Sequence, residues 1–288
     1  MLLTSDRYFS NRELPVQLFY TQSSSKLHWH CHEFSEIAIM LDGRCVYETD
    51  FSSTVISKGD VVFIPRGGTH RYLNEENVSL MNVLFLLENL TFPYQDIFSD
   101  PGFTALFRIR SEYCRKVQFY PHLHLEDAEL DELAHILIPA WEKQEKQLPG
   151  ATLGVYGAFL QMIPILLGAE KKTCAAPEKT PTRIPEAIGI IHQHFREKIV
   201  IPRLAKEIGM SESSFTRHFK TATGETPVEY MLKLRLQDAA DKICNGMAVS
   251  EAAFTAGFSD SNYFSAKFKE TYGISPKELQ KTLRNKKN

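Results

Sequence analysis

The chain has 288 residues, 43% hydrophobic and 24% charged. That balance fits folded globular domains with real cores and excludes a low-complexity or disordered chain. The net charge of −2 hides a split: residues 1–182 hold 16 Lys and Arg against 23 Asp and Glu, whereas residues 183–288 hold 17 against 12. A basic C-terminal part beside an acidic N-terminal part points to nucleic acid binding at one end only. Cys31, Cys45, Cys114, Cys174 and Cys244 are odd in number and show no C-x-x-C spacing. They read as free thiols in a reducing cytoplasm. The opening Met-Leu-Leu-Thr-Ser-Asp-Arg lacks a signal-peptide pattern. No run of consecutive apolar residues approaches the roughly 18 that span a bilayer, so no membrane partner is expected.

Residues 1–125 alternate as a β-rich domain. Glu36 to Leu41, Val61 to Ile64 and Leu80 to Leu86 are the strand candidates. Asp42-Gly43, Lys58-Gly59-Asp60 and Gly67-Gly68 separate them as turns. Many short strands with such punctuation predict a small barrel or jelly roll.

Within this region lie His30, His32, Glu36 and Gly43, followed by Gly59, Pro65, Gly67, His70 and Asn74. His30, His32 and Glu36 share parity, so an extended chain would point them to one face, and His70 would join from another strand. Three imidazoles and a carboxylate suit a divalent transition metal such as Zn, Ni, Fe, Mn or Cu. Equally, such histidines can hydrogen-bond a sugar with no metal present. Trp29, Phe34, Tyr47, Phe63 and Tyr72 are either walls of a ligand pocket or plain core. This spacing resembles both cupin motifs, except that the Gly expected before the first His is missing. The same half is similar to the sensing half of the L-rhamnose regulators, through the His-rich strand, Gly59 to Ile64, and Met81 to Phe85. That likeness implies a small-molecule effector, a sugar such as L-rhamnose. The rival reading is a metal-dependent cupin enzyme, a dioxygenase or sugar isomerase, with an attached DNA-binding domain. It would require an acid–base pair beyond the ligands, which the sequence does not offer.

Residues 127–147 and 151–168 read as helices. Leu130, Leu133, Ile136, Leu137, Ala140 and Trp141 form one apolar stripe. Pro139 and Pro164 are expected to kink or shorten the pair. The segment 126–168 must bury itself on its own barrel or on a second subunit. Residues 169–182 are polar and Pro-containing, and read as a flexible linker.

Residues 183–288 contain a repeat. Phe215, Phe219, Lys220, Gly224 and Pro227 recur as Phe264, Phe268, Lys269, Gly273 and Pro276, at a constant offset of 49. Each pair of Phe shares one helix face, and each Gly then Pro ends the helix. Ser211 in the first copy and Asp260 or Ser259 in the second are N-cap candidates, and a short helix ending in Gly precedes each copy. Helix, turn, capped helix is the helix-turn-helix pattern. With the Phe inward, Ser213, Thr216, Arg217 and Lys220 project outward in the first copy, and Ser261, Asn262, Ser265 and Lys269 in the second. Small polar groups with one Arg suit base edges and phosphates.

Residues 186–284 resemble the DNA-binding domain of the AraC/XylS family, through Leu204-Ala205, Ser211, Phe215, Arg217, Phe219-Lys220, Gly224, Pro227, Tyr230, Arg235-Leu236, Ala239, Gly257-Phe258, Phe264, Phe268-Lys269, Gly273 and Ser275-Pro276. The likeness implies two helix-turn-helix units joined by one long helix over 227–245, entering major grooves about 34 Å apart. It also implies that the helices after the barrel form a homodimer contact, and that RNA polymerase is a further partner. Ala266 departs from the Arg found in many relatives, so base reading by the second unit is either weaker or rests on Asn262 and Lys267. The tail from Arg284 is expected to fray, with phosphate contacts open to it. The expected whole is a two-domain α+β chain with an N-terminal cupin-like β-barrel and a C-terminal all-α domain. Its expected function is that of a ligand-responsive transcription regulator bound to a double-stranded operator, and not an enzyme.

Overall fold

A computed structural model describes residues 1–9, 15–22, 28–90, 92, 96–174 and 183–285. The chain divides into two compact units, Met1–Gln95 with Gly102–Pro185, and Asp96–Pro101 with Glu186–Asn288. Among the described residues the strands are β1 (Leu2–Leu3), β2 (Val16–Gln22), β3 (Cys31–His32), β4 (Ser35–Thr49), β5 (Ser53–Ser57), β6 (Asp60–Ile64), β7 (His70–Phe85) and β8 (His122–His124). The helices are α1 (Ser5–Tyr8), α2 (Pro101–Phe103), α3 (Ser111–Val117), α4 (Asp127–Glu145), α5 (Ala151–Cys174), α6 (Ile184–His194), α7 (Ile201–Glu207), α8 (Glu212–Thr223), α9 (Pro227–Cys244), α10 (Val249–Thr255), α11 (Ser261–Tyr272) and α12 (Pro276–Asn285).

In the first unit β4 and β7 are far longer than the apolar runs predicted, and they pair antiparallel from Ser35↔Phe85 to Thr49↔His70. Register shifts between Met40 and Val46 bend this ribbon, as bulges do. The sheet order is β2-β7-β4-β6-β8, with β5 on β4. One face of the ribbon is a core of Ala38, Met40, Cys45, Tyr47, Val62 and Ile64. Ile37, Ile39, Val61 and Phe63 alternate with that set and are also buried. They form the opposite face, where Phe63, Phe85, Phe107 and Phe159 interlock at ring distances of 5.5–6.4 Å. A strand buried on both sides explains why these runs are apolar throughout rather than alternating.

The helix pair belongs to this unit. Helix α4 packs on β2, and α5 packs on α4, β2 and β8. Gln144 on α4 closes the open edge of β2: its Nε2 donates to Leu18 O at 2.7 Å, and its Oε1 accepts from Leu18 N at 3.1 Å. Both helices run on through Pro139 and Pro164, contrary to the expected shortening. Each proline removes one backbone bond, and burial of the apolar faces outweighs that loss. Helix α5 also extends to Cys174, so residues 169–174 are helix and not linker; residues 175–182 lie outside the described residues. Ala151–Glu170 is long and apolar enough on average to cross a membrane, although no unbroken apolar run marks it in the sequence. Phe159, Met162, Ile163 and Leu166 are buried in the unit, which accounts for that composition as core.

In the second unit the two predicted helix-turn-helix elements form, as α7–α8 and α10–α11. Ser211 Oγ accepts from Ser214 N, and Asp260 Oδ1 accepts from Asn262 N and Tyr263 N, so both predicted N-caps are made. Gly224 and Gly273 close the helices at φ 88° and 76°, where a Cβ is disfavoured. Helix α9, opened by a Thr226–Glu229 capping box, takes both elements on its flanks. Phe264 and Phe268 pack with Leu236, Ala239 and Ile243 of α9. Phe219 meets Tyr230 of α9 at a ring distance of 5.5 Å.

Candidate functional site

The outer face of α8 carries the predicted set. Ser213, Arg217 and Lys220 are exposed and Thr216 is half-buried, because Phe215 and Phe219 take the inner face. Among the described residues no carboxylate pairs with Arg217. On α11, Ser261, Asn262 and Lys269 are exposed. Ser265 is half-buried, with its Oγ donating to Ser261 O at 2.8 Å, so it offers only lone pairs outward. Lys267, one alternative for base reading in this unit, is held by Glu270 at 2.8 Å. Asn262 is therefore the amide left to face outward.

In the barrel, His32, Glu36 and His70 bring three ligand atoms within 4.8 Å of one another, all in buried side chains. His32 Nε2 lies 3.1 Å and His70 Nε2 4.0 Å from Glu36 Oε2. The pairing of β4 with β7 delivers Glu36 and His70, while a bend at Glu33 and Phe34 carries His32 in from β3. The expected fourth member stands beside the group, not in it. His30 bonds the His28 carbonyl through Nδ1 at 3.0 Å, and its ring centre lies 4.2 Å from that of His70. Parity would place all three residues on one face only along a straight strand, and the bend at Glu33 and Phe34 breaks that strand.

Both ring nitrogens of His70 are buried without a hydrogen-bond partner, and His32 Nε2, though near Glu36, is not aligned to bond it. Burial pushes the His70 imidazole down to about 3 and lowers His30 as well. For Glu36, burial works upward, but the His32 contact and the surrounding imidazoles outweigh it and hold the carboxyl below its usual range. Buried, unpaired nitrogens are costly unless something binds them. Two imidazoles and a carboxylate are a donor set that a divalent transition metal fits, with coordination positions left over.

A cavity of about 270 Å³ adjoins this group, reached by His30 and Glu36. Of the expected aromatic walls, Phe34 and Tyr72 line it. Tyr47 lies behind, against His70 and Tyr72 at ring distances of 5.9 and 5.6 Å. Phe63 belongs to the opposite face of the sheet, on Phe107. Trp29 sits under the Arg71 guanidinium, 4.7 Å away. Tyr8 and Phe19 take the missing places, and Asn82 and Glu75 supply further polar walls. A lone amide within the apolar run Leu80 to Phe85 was the available signal for Asn82; nothing local marks Tyr8 or Phe19. Tyr72 OH and Asn82 Oδ1 are buried without partners. Burial pushes the Tyr72 phenol well above its ordinary value, so it remains a donor.

On the far side of β6, Asp60 accepts from Ser57 N at 2.7 Å and contacts His122 Nε2 and His124 Nδ1 at 3.1 and 2.9 Å. Burial would raise this carboxyl, but those three contacts bring it down to about 2 from 3.8. A lowered folded-state value contributes stability that is present above about pH 4 and lost as pH falls towards 2. Asp60→Asn is expected to cost about 2 kcal/mol at neutral pH and to flatten the acid limb between pH 4 and 2. Urea unfolding of both proteins at a series of pH values reads this out, and parallel acid limbs would mean that Asp60 is not held by charge.

Residues 17–85 match the family described as a cupin domain, and residues 204–282 match the family described as a helix-turn-helix domain. The HTH-type transcriptional activator RhaR of Mannheimia succiniciproducens is 25% identical over 279 residues, covering 96% of both chains. The HTH-type transcriptional activator RhaS of Escherichia fergusonii is 26% identical over 280 residues, again covering 96% of both. The chain is a DNA-binding transcription regulator, similar over nearly its whole length to these activators. Among solved structures, an AraC-type DNA-binding domain protein from Chromobacterium violaceum is 24% identical with a TM-score of 0.33, covering 35% of this regulator and 91% of that chain. The regulator thus joins a cupin domain to a double helix-turn-helix domain, and the matched relatives are activators of transcription rather than enzymes.

Proposed function

We propose that the regulator senses a small, uncharged polyhydroxylated molecule in its barrel, a sugar, and that occupancy changes how its C-terminal unit engages an operator. The carrying observation is the cavity beside His32, Glu36 and His70. Its volume of about 270 Å³ lies just below the roughly 300–1,000 Å³ of pockets for drug-sized ligands, and suits one sugar ring. Unpaired polar atoms of Tyr72 and Asn82 meet apolar walls of Phe19, Phe34 and Leu84 there. Glu36 and Glu75 line it, and among the described residues no Lys or Arg does, which disfavours sugar phosphates and sugar acids. L-rhamnose is the first sugar to try, by the likeness to its regulators.

His32, Glu36 and His70 would hold a divalent transition metal, with His30 alongside. When bound, the metal would act as a Lewis acid that fixes hydroxyl oxygens. The protein's own groups do the rest: Tyr72 OH donates, Asn82 Oδ1 accepts, and the aromatic walls exclude water. Linkage requires only that the sugar bind one state of the chain better than another. Ser213, Thr216 and Arg217 on α8, with Ser261 and Asn262 on α11, are assigned to bases, Lys220 and Lys269 to phosphates, and Ser265 to the same DNA-facing surface. A homodimer through the outer face of α5, where Leu153 is 75% exposed, RNA polymerase as partner and a cytoplasmic location complete the reading.

The test is a thermal-shift screen of neutral sugars on the full chain, with and without chelator. The expected result is a rise in melting temperature with one neutral sugar, lost in Asn82→Ala and Tyr72→Phe, since a ligand of the native state stabilises it by mass action. A sugar phosphate that shifts the protein where its parent sugar does not would sink the assignment.

A further inference from the structure

The offset of 49 that relates the two helix-turn-helix units also exposes what each has that the other lacks. Arg217 corresponds to Ala266, so the second recognition helix has no guanidinium where the first presents an exposed one. Further on, Val228 corresponds to Lys277 and Leu232 to Lys281, so the second unit has two ammonium groups where the first has aliphatic side chains.

Lys277 and Lys281 stand one turn apart on α12, and both are exposed. With Ser250 of α10 and Ser261 and Asn262 of α11 they line one hollow of about 590 Å³. The helix that carries them is fixed in place. Leu279 packs against the cluster of Phe264 and Phe268, and Gln280 Nε2 donates to Met247 O at 3.1 Å. The acids nearby are already engaged, Glu278 by Ser275 N at 2.7 Å and Glu270 by Lys267 at 2.8 Å. Glu251 of α10 does not line the hollow. Among the described residues no carboxylate pairs with either lysine.

We propose that this hollow seats a backbone phosphate of the operator between Lys277 and Lys281, and that the second unit chiefly anchors the duplex, its α11 side chains adding lesser base contacts, while the first supplies most of the sequence preference. A lysine is a point charge suited to phosphate, whereas an Arg fork suits the edge of guanine. Phosphate contacts fix register and orientation without carrying sequence. The second unit, with lysines gained and its Arg absent, has the chemistry for the former role. The proposal rests on the DNA-binding function of the chain and adds a division of labour within it.

The experiment uses the full chain and fluorescence anisotropy, on duplexes that the wild-type chain selects from a random library and on an unselected duplex of equal length. The Lys277→Ala/Lys281→Ala double variant is expected to lower the salt slope of log affinity by about 2 on both duplexes, since each phosphate contact contributes about 0.9. Its preference for selected over unselected DNA should stay unchanged, and the double Lys→Arg variant should restore the slope. Arg217→Ala should instead reduce that preference on the order of 10- to 100-fold. Should the double Ala variant melt early, the single Lys→Gln variants carry the test, at about 1 each in slope. A native melting curve with an unchanged slope overturns the proposal, as does a loss of preference matching that of Arg217→Ala. Competition by inorganic phosphate beyond that of chloride at equal ionic strength also overturns it, because the hollow would then hold a small anion. If neither the lysine nor the Arg217 variants alter binding, the assigned DNA interface itself is wrong.

Discussion

Adding a divalent transition metal to chelator-stripped protein is expected to raise the melting temperature of the barrel unit by about 5–10 °C at a hundredfold excess over Kd. That excess is worth about 2.7 kcal/mol, and domains of 150–250 residues shift by about 2–4 °C per kcal/mol. His32→Ala and His70→Ala should remove the rise, because each takes away one of three donors that converge within 4.8 Å. Without metal the site is a liability. Both nitrogens of His70 are buried and unpaired, and a buried polar group without a partner costs about 1–3 kcal/mol. His70→Leu should therefore be neutral or stabilising in stripped protein and strongly destabilising relative to wild type in loaded protein. The opposite signs separate a metal site from a histidine that only bonds a sugar. If stripped and loaded protein melt together, and His70→Leu behaves alike in both, the metal assignment fails while the sugar pocket stands.

Phe219→Ala is expected to destabilise the C-terminal unit by about 3–5 kcal/mol, the usual range for emptying a buried phenyl site. Phe219 is fully buried. Its ring meets Phe215 and Tyr230 edge-on, each at 5.5 Å. Tyr230 is held in turn by His192, whose Nε2 lies 2.8 Å from the Tyr230 hydroxyl. The site is thus braced on several sides and has little room to collapse, which places it towards the costly end of the range. Because small domains have only about 5–15 kcal/mol to lose, much of the stability that presents α8 would go. Urea unfolding of the full chain should show the C-terminal transition moved and the barrel transition unmoved, with DNA affinity falling in step. Phe219→Leu, which keeps most of the volume, should be milder. A cost below about 1 kcal/mol for Phe219→Ala would mean that α8 is anchored elsewhere.

The double helix-turn-helix was legible in the sequence because its signals are local. Two Phe on one face, a side-chain cap and a left-handed Gly each act within a turn or two of helix. The same locality made Ser213, Arg217, Asn262 and Lys220 readable as outward groups, since the position of Phe215 and Phe264 fixes the opposite face. The donor types of the barrel were legible too, as residue identities. Which donors meet was not. That depended on how the bent β4–β7 ribbon sets Glu36 against His70, and on the bend at Glu33 and Phe34 that admits His32 and leaves His30 aside. The cavity walls followed the same rule: Tyr8 and Phe19 come from segments distant in sequence, and Phe63 turned to the other face. By itself, then, the sequence determined the DNA-reading helices and the chemistry available to the sensor, because short-range backbone geometry imposes both. Only the tertiary structure decided which donors converge, which residues wall the cavity and which side chains share the hollow with Lys277 and Lys281, because strand register and helix packing are long-range.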